Sequence, residues 1–67
     1  MKDTYRYEVL NQHGVIDSGF AKTLDEFCNK KGYEVYAYWH QGGMVRHKKT
    51  GLTFGVRWHP TDLINSL

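Results

Sequence analysis

The sequence contains a single cysteine, Cys28, and a single proline, Pro60. One cysteine excludes an internal disulfide, and no group of Cys and His residues has zinc-finger spacing. A chain of 67 residues buries only about 60% of the surface that its unfolded form exposes, so its core must come from large side chains. We expect one domain over residues 1–67, stabilised mainly by aromatic packing and holding no cofactor or metal.

Long apolar runs are also missing. No stretch approaches the roughly 20 residues that a transmembrane helix needs. The N-terminus does not have the pattern of a secretory signal peptide. Together with the lone cysteine, these features predict a cytoplasmic protein without a membrane partner.

Acidic residues are absent from Val35 to Thr61. The first 34 residues carry five cations and six acids, whereas residues 35–67 carry four cations and one acid. Three of the four histidines also lie in the second part. A basic stretch without acids can attract phosphate, although such a block is equally compatible with the solvated face of a sheet.

The N-terminal third has the pattern of a β-hairpin. Apolar and polar residues alternate over residues 4–10, as in a half-buried strand. Residues 11–14 then form a turn that includes Gly14, and residues 15–20 form a second strand.

A short helix follows. Residues 23–26, Thr-Leu-Asp-Glu, have the form of a capping box. Lys30 and Lys31 suit the C-terminal end of a helix dipole, and Gly32 suits the left-handed position that ends a helix. We predict a helix over residues 24–31. Its buried face comprises Leu24, Phe27 and Cys28.

The second half predicts a three-stranded antiparallel meander. Residues 33–40 are dense in β-favouring side chains, residues 44–48 form the next strand, and residues 52–58 form the last. The turns fall at residues 41–43 and 49–51, each containing glycine. These elements make an α+β fold of order ββαβββα.

The last helix of this order begins at Pro60 and runs through Ile64, because proline suits the first position of a helix. One alternative is a β-hairpin followed by a helix-turn-helix with a wing. In that fold residues 34–41 form the recognition helix and residues 44–58 the wing.

Alternation along the strands separates a core face from a second face. The core face is predicted to contain Tyr33, Val35, Ala37 and Trp39 of one strand and Leu52, Phe54, Val56 and Trp58 of another. The second face then presents Tyr36 and Tyr38 beside Arg57, His40 and His59. Aromatic and basic side chains interleaved on a sheet are typical of single-stranded nucleic-acid binding.

This pattern predicts a non-enzymatic nucleic-acid-binding module, for RNA rather than DNA, that uses the basic hairpin and the second face. The candidate binding residues are Arg46, His47, Lys48, Lys49, Arg57, His59, Tyr36 and Tyr38. The alternative is a small protein-binding accessory or inhibitor protein, phage-encoded and dimeric. Tyrosine and arginine are also preferred residues of protein interfaces, and an exposed edge strand can pair with a partner.

The sequence does not assemble a catalytic site. Cys28 falls on the apolar helix face, as a structural cysteine does. Asp25 and Glu26 are explained by helix capping. His40 is the one candidate for ribonuclease chemistry, but no carboxylate near it in sequence would orient it.

From Leu24 onward the sequence resembles the HicA-type RNA-cleaving toxins. The matching features are the helix ending in Gly32-Tyr33, the turn Gln41-Gly42-Gly43, a strand with Arg46-His47, a turn with Gly51, and a strand closing in His59-Pro60. The resemblance implies a double-stranded-RNA-binding-like α-β-β-β-α fold. That family carries a catalytic histidine in a Gly-Ser-His turn. No histidine follows the glycines here, so the resemblance implies the fold more than nuclease activity.

Overall fold

The computed structural model describes residues 4–40 and 42–60, which form five strands and one helix. The elements are β1 (Tyr5–Asn11), β2 (Gly14–Ala21), α1 (Leu24–Lys31), β3 (Tyr33–Tyr38), β4 (Gly42–His47) and β5 (Thr53–Pro60). Neighbouring strands pair antiparallel in the order β2-β1-β5-β4-β3, so the last strand pairs with the first.

The predicted fold class is wrong, because the molecule is mainly β. The hairpin and the meander are parts of one five-stranded sheet, joined through the pairing of β1 with β5. Pro60 closes β5 opposite Tyr5 and does not begin a helix. Its restricted φ is compatible with an extended strand end, where the missing N–H costs little. The rest of the predicted C-terminal helix, through Ile64, lies outside the described residues.

The helix-turn-helix alternative is wrong as well. Residues 33–38, which include most of its recognition helix, form strand β3. Four of these six residues are tyrosine or valine, and such side chains pack better on a pleated sheet than on a short helix.

The predicted bounds of α1, its N-cap at Thr23 and its end at Gly32 are confirmed. Thr23 Oγ1 accepts the Glu26 N–H at 3.1 Å, and Gly32 ends the helix in the left-handed region at φ 84°. Glu26 Oε1 accepts from the Lys22 N–H at 3.0 Å, one residue before the amide that a capping box would use. In the part of the chain that the structure describes, no helix is long and apolar enough to cross a membrane.

The sheet is strongly curled. In a flat five-stranded sheet the two edge strands, β2 and β3, would lie about 19 Å apart. Here the Tyr33 hydroxyl on β3 donates to Asp17 Oδ2 on β2 at 3.3 Å. Helix α1 packs against both edge strands and fills the gap between them. We call the face toward α1 the inner face and the opposite face the outer face.

The core lies on the inner face and centres on Phe27. Its ring stacks on Tyr7 at a centroid distance of 5.2 Å and on Tyr33 at 6.4 Å. Burial raises the pKa of the neighbouring Cys28 thiol to about 11, which leaves it protonated and unreactive at neutral pH. The buried apolar residues are Tyr7, Val9, Ala21, Leu24, Phe27, Cys28, Tyr33, Val45 and Val56.

A β-bulge in β3 changes the predicted faces. The register shifts between Val35 and Ala37, so that Ala37 pairs with Met44 and Tyr38 with Gly43. Ala37 therefore leaves the predicted core face, and Tyr38 takes a place on the inner face. Gly42 and Gly43, predicted to lie in a turn, open β4 instead. A Cβ atom at Gly43 would overlap the Ala37 carbonyl oxygen, so the bulge requires glycine there.

Candidate nucleic-acid interface

The eight predicted binding residues do not form one patch. Strand pairing places Arg46, Arg57 and His59 on the outer face, whereas His47 and Tyr38 lie on the inner face. Lys48 and Lys49 lie in the turn between β4 and β5, and Tyr36 lies at the bulge of β3. The candidate site therefore consists of those groups that the fold brings together.

On the outer face a buried carboxylate contacts two of the predicted binding residues, Arg57 and His59. Glu8 of β1 is only 7% exposed. Arg57 Nε donates to Glu8 Oε1 at 2.7 Å, Arg6 Nη2 lies 3.1 Å from Oε2, and His59 Nε2 lies 3.4 Å from Oε1. The hydrogen bond from Arg57 holds the pKa of the Glu8 carboxyl below its usual value.

Arg46, another predicted binding residue, also pairs with a carboxylate. Its Nε donates to Glu34 Oε2 of β3 at 2.7 Å. The stretch from Val35 to Thr61 lacks acids in sequence, but strands β1 and β3 place Glu8 and Glu34 beside its cations. The outer face is therefore nearly balanced in charge and is a weaker phosphate site than the sequence predicts.

Unbalanced positive charge collects at one end of the sheet, where α1 ends and β4 turns into β5. A groove of about 560 Å³ there is lined by Asn29, Lys30, Lys31, Gly32, His47, Lys48 and Lys49. None of these lining residues is acidic. We call the set Lys30, Lys31, His47, Lys48 and Lys49 the lysine end.

Hydrogen bonds fix the turn of the lysine end against the helix. His47 Nδ1 accepts from the Lys49 and Thr50 amides at 3.3 and 3.4 Å. The Lys48 N–H donates to the Gly32 carbonyl at 3.0 Å. Gly51 closes the turn at φ 76°, as predicted. These hydrogen bonds hold the backbone of Lys48 and Lys49 in a defined conformation.

The four lysines differ in their partners. Lys31 Nζ lies 3.3 Å from Asp17 Oδ1, and Lys30 Nζ donates to the Phe20 carbonyl at 3.1 Å. Lys48 and Lys49 form no ion pair within residues 4–40 and 42–60. The groove therefore retains a net positive charge.

From the sequence, Lys30 and Lys31 are explained by the helix dipole, and the predicted site does not include them. The sequence feature that indicates that these lysines lie near the β4–β5 turn is the single residue, Gly32, between α1 and β3. Because Tyr33 pairs with His47, the helix end and the β4–β5 turn must be adjacent. That register could not be read from either segment alone.

The opposite end of the sheet is aromatic. The ring of Tyr38 stacks on Trp58 at a centroid distance of 5.4 Å and an angle of 20°. Beside this stack a groove of about 350 Å³ is lined by Tyr5, Tyr7, Lys22, Thr23, Leu24, Asp25, Tyr38 and Trp58. We call it the aromatic groove. Burial raises the pKa of Tyr7 to about 12, so its hydroxyl stays protonated.

His40 and His59 meet at a second groove near the same end. It has a volume of about 530 Å³ and is lined by Tyr5, His40, Arg57, Trp58, His59 and Pro60. Glu8 gives His59 the carboxylate partner that the sequence did not suggest for any histidine. No three metal-binding side chains cluster anywhere in the described parts of the chain.

Comparison with known protein families, with curated proteins and with solved structures finds no match to this chain. The resemblance to HicA-type toxins therefore stays a prediction. Evidence on function comes from the two ends of the curled sheet, one cationic and one aromatic.

Proposed function

We propose that the protein binds nucleic acid, RNA rather than DNA, by holding backbone phosphates at the lysine end. The observation that carries this proposal is the groove lined by four lysines and one histidine and by no acidic residue. Lysine ammonium groups act on phosphate as point charges and release its counterions. Such contacts position a nucleic acid but do not read its sequence.

The lysine end is better suited to phosphate than the outer face. Arg57 and His59 would have to leave Glu8, and Arg46 would have to leave Glu34, before contacting a ligand. Lys48 and Lys49 break no ion pair within the described chain. Arg46, Arg57 and His59 therefore have a secondary role in this proposal.

Salt-dependent binding of a fluorescein-labelled single-stranded RNA tests the proposal. On a single strand the logarithm of affinity falls against the logarithm of salt with a slope of about 0.7 per phosphate contact. The double variant Lys48→Gln, Lys49→Gln should reduce that slope by about 1.4. Arg46→Gln removes one positive charge from the outer face and should change the slope less. Absence of binding at low salt, or an unchanged slope in the double variant, would refute the proposal.

We also infer that the protein acts in the cytoplasm. This inference is supported by the single cysteine, which is free and buried. A protein kept in a reducing compartment needs no disulfide. Localisation of a fluorescent fusion in the host cell would test it, and an exported fusion would contradict it.

A second candidate function is protein binding through strand β2. This strand is an edge of the sheet and exposes Val15, Ile16 and Phe20. Exposed apolar edges pair with added strands, including those of a second copy. Bonds from Lys30 to the Phe20 carbonyl and from the Ser18 amide to Asp17 occupy part of this edge. Sedimentation analysis tests this function through self-association, and a dimer lost on Ile16→Lys would support it.

A further inference from the structure

We propose that the aromatic groove receives one unpaired nucleobase, so that the nucleic acid bound at the lysine end is single-stranded. This inference rests on the proposed function and adds the form of the ligand. It assigns phosphate contacts and base contacts to opposite ends of the sheet.

The stack of Tyr38 on Trp58 provides the surface for a base. Tyr38 is 67% exposed although its ring lies against Trp58. A planar base can extend this stack, and stacking on aromatic rings is the usual way in which proteins hold unpaired bases. The groove volume of about 350 Å³ lies at the lower end of the range for small-molecule sites, ~300–1,000 Å³.

The polar lining of the groove favours a base over a phosphate. Asp25 lines it and would repel a phosphate, with Lys22 as the single cation of the lining. The carboxylate of Asp25 can accept hydrogen bonds from the edge of a base. The protonated hydroxyl of Tyr7 can donate one. Base edges offer both donors and acceptors, whereas phosphate offers acceptors only.

A single strand can reach both ends at once. Strand β3 runs from the lysine end to the aromatic groove, and its six residues span about 20 Å at ~3.3 Å per residue. At a rise of ~3.4 Å per nucleotide, about six stacked nucleotides cover that distance. A duplex keeps its bases paired and would have to flip one out to fill the groove.

Tryptophan fluorescence reports on the groove directly. The variant Trp39→Phe leaves Trp58, which lines the groove, as the only tryptophan. Single-stranded RNA should quench its emission, because a stacked base contacts the indole environment. A base-free strand with the same number of phosphates should bind at the lysine end without quenching. A blunt duplex of equal length should also leave the emission unchanged.

Two tyrosines on the same strand provide a matched pair of variants. Tyr38→Ala should weaken binding of single-stranded RNA by about 5- to 150-fold, the range for loss of one base stack. Tyr36 is also exposed, at 61%, but does not line the groove, so Tyr36→Ala should have little effect. Circular dichroism of both variants verifies that they are folded.

The outcomes separate this inference from the proposed function. If single-stranded and base-free strands bind equally, or if both tyrosine variants bind alike, the groove does not hold a base. The function at the lysine end then still stands, provided that Lys48→Gln, Lys49→Gln weakens binding. If no nucleic acid binds at low salt, both proposals fail.

Discussion

The two ends of the sheet are built in different ways. The lysine end comes from two short segments, the last turn of α1 and the β4–β5 turn, and its charges project from local structures. The aromatic groove draws Tyr5, Tyr38 and Trp58 from three different strands. Cations can be positioned by turns and caps, whereas stacked rings need the register of distant strands to be correct.

This difference predicts different sensitivity to change. The lysine end should keep its charge in any variant that retains the turn and the helix. The aromatic groove should be lost whenever strand register or the bulge in β3 changes. Four stability experiments test this comparison, and they run from the largest expected effect to the smallest.

Phe27→Ala should disrupt both ends together. Phe27 packs against Tyr33 near the lysine end and against Tyr7, which lines the aromatic groove. Truncating a buried phenylalanine costs about 3–5 kcal/mol, and a domain of this length has about 3–10 kcal/mol in total. Urea denaturation followed by circular dichroism should therefore show a transition at a much lower urea concentration than in the parent.

Phe20→Ala, at a residue that is 59% exposed, is the control and should cost less than about 1 kcal/mol. Equal losses of unfolding free energy in Phe27→Ala and Phe20→Ala would contradict the assignment of Phe27 to the core.

Gly43→Ala should damage the aromatic groove selectively. The added Cβ would overlap the Ala37 carbonyl oxygen, so the bulge that positions Tyr38 must shift. Overpacking of this kind costs about 1–3 kcal/mol. In the Trp39→Phe background the emission of Trp58 should change, while the salt dependence of RNA binding is retained.

Gly55→Ala is the matched control for Gly43→Ala. A Cβ there would meet only the Leu10 carbonyl oxygen, at an ordinary contact distance of 3.9 Å. Its stability and Trp58 emission should stay close to those of the parent. If the two alanine variants behave alike, the bulge does not control the groove.

Thr23→Ala tests the helix cap beside the aromatic groove. Loss of the bond to the Glu26 amide should cost about 1 kcal/mol of unfolding free energy, measured by urea denaturation. Thr50→Ala removes a comparable bond at the lysine end, where Thr50 Oγ1 accepts from the Leu52 amide at 3.3 Å. Because this bond is longer than the 3.1 Å bond of Thr23 and does not cap a helix, the variant should cost less. The reverse order would show that the lysine end is the more tightly coupled region.

Glu8→Gln should have the smallest effect at neutral pH and should be recognised by its pH profile. The pKa of Glu8 in the folded protein lies below its ordinary value of 4.5. The stabilisation from its ion pairs is therefore present above about pH 4.5 and is lost as pH falls through the folded pKa. The parent should lose stability in that acidic range.

The urea midpoint of Glu8→Gln, measured at each pH, should fall less between neutral and acidic pH than the urea midpoint of the parent. Glu34→Gln removes the more exposed pair with Arg46 and should alter the profile less, because solvent screens exposed pairs. An identical acidic loss in the parent and in Glu8→Gln would exclude Glu8 as its source.

Local features were predictable from the sequence. Thr23 as the N-cap, Gly32 as the left-handed end of α1 and Gly51 in the β4–β5 turn are all observed as predicted. Each depends on residues within four positions of one another, so the sequence by itself determines them. Lys48 and Lys49 are candidate phosphate contacts because they lie in the basic stretch without acids, which is also a feature of the sequence alone.

The tertiary structure alone decided the arrangement of these elements. The pairing of β1 with β5 makes one curled sheet and places Glu8 under Arg57 and His59. The bulge in β3 moves Tyr38 to the inner face, against Trp58. Alternation predicts faces only while the register is regular, and a bulge reverses every face beyond it. Charge balance and ring stacking depend on residues far apart along the chain, and only their packing in space determines which of them meet.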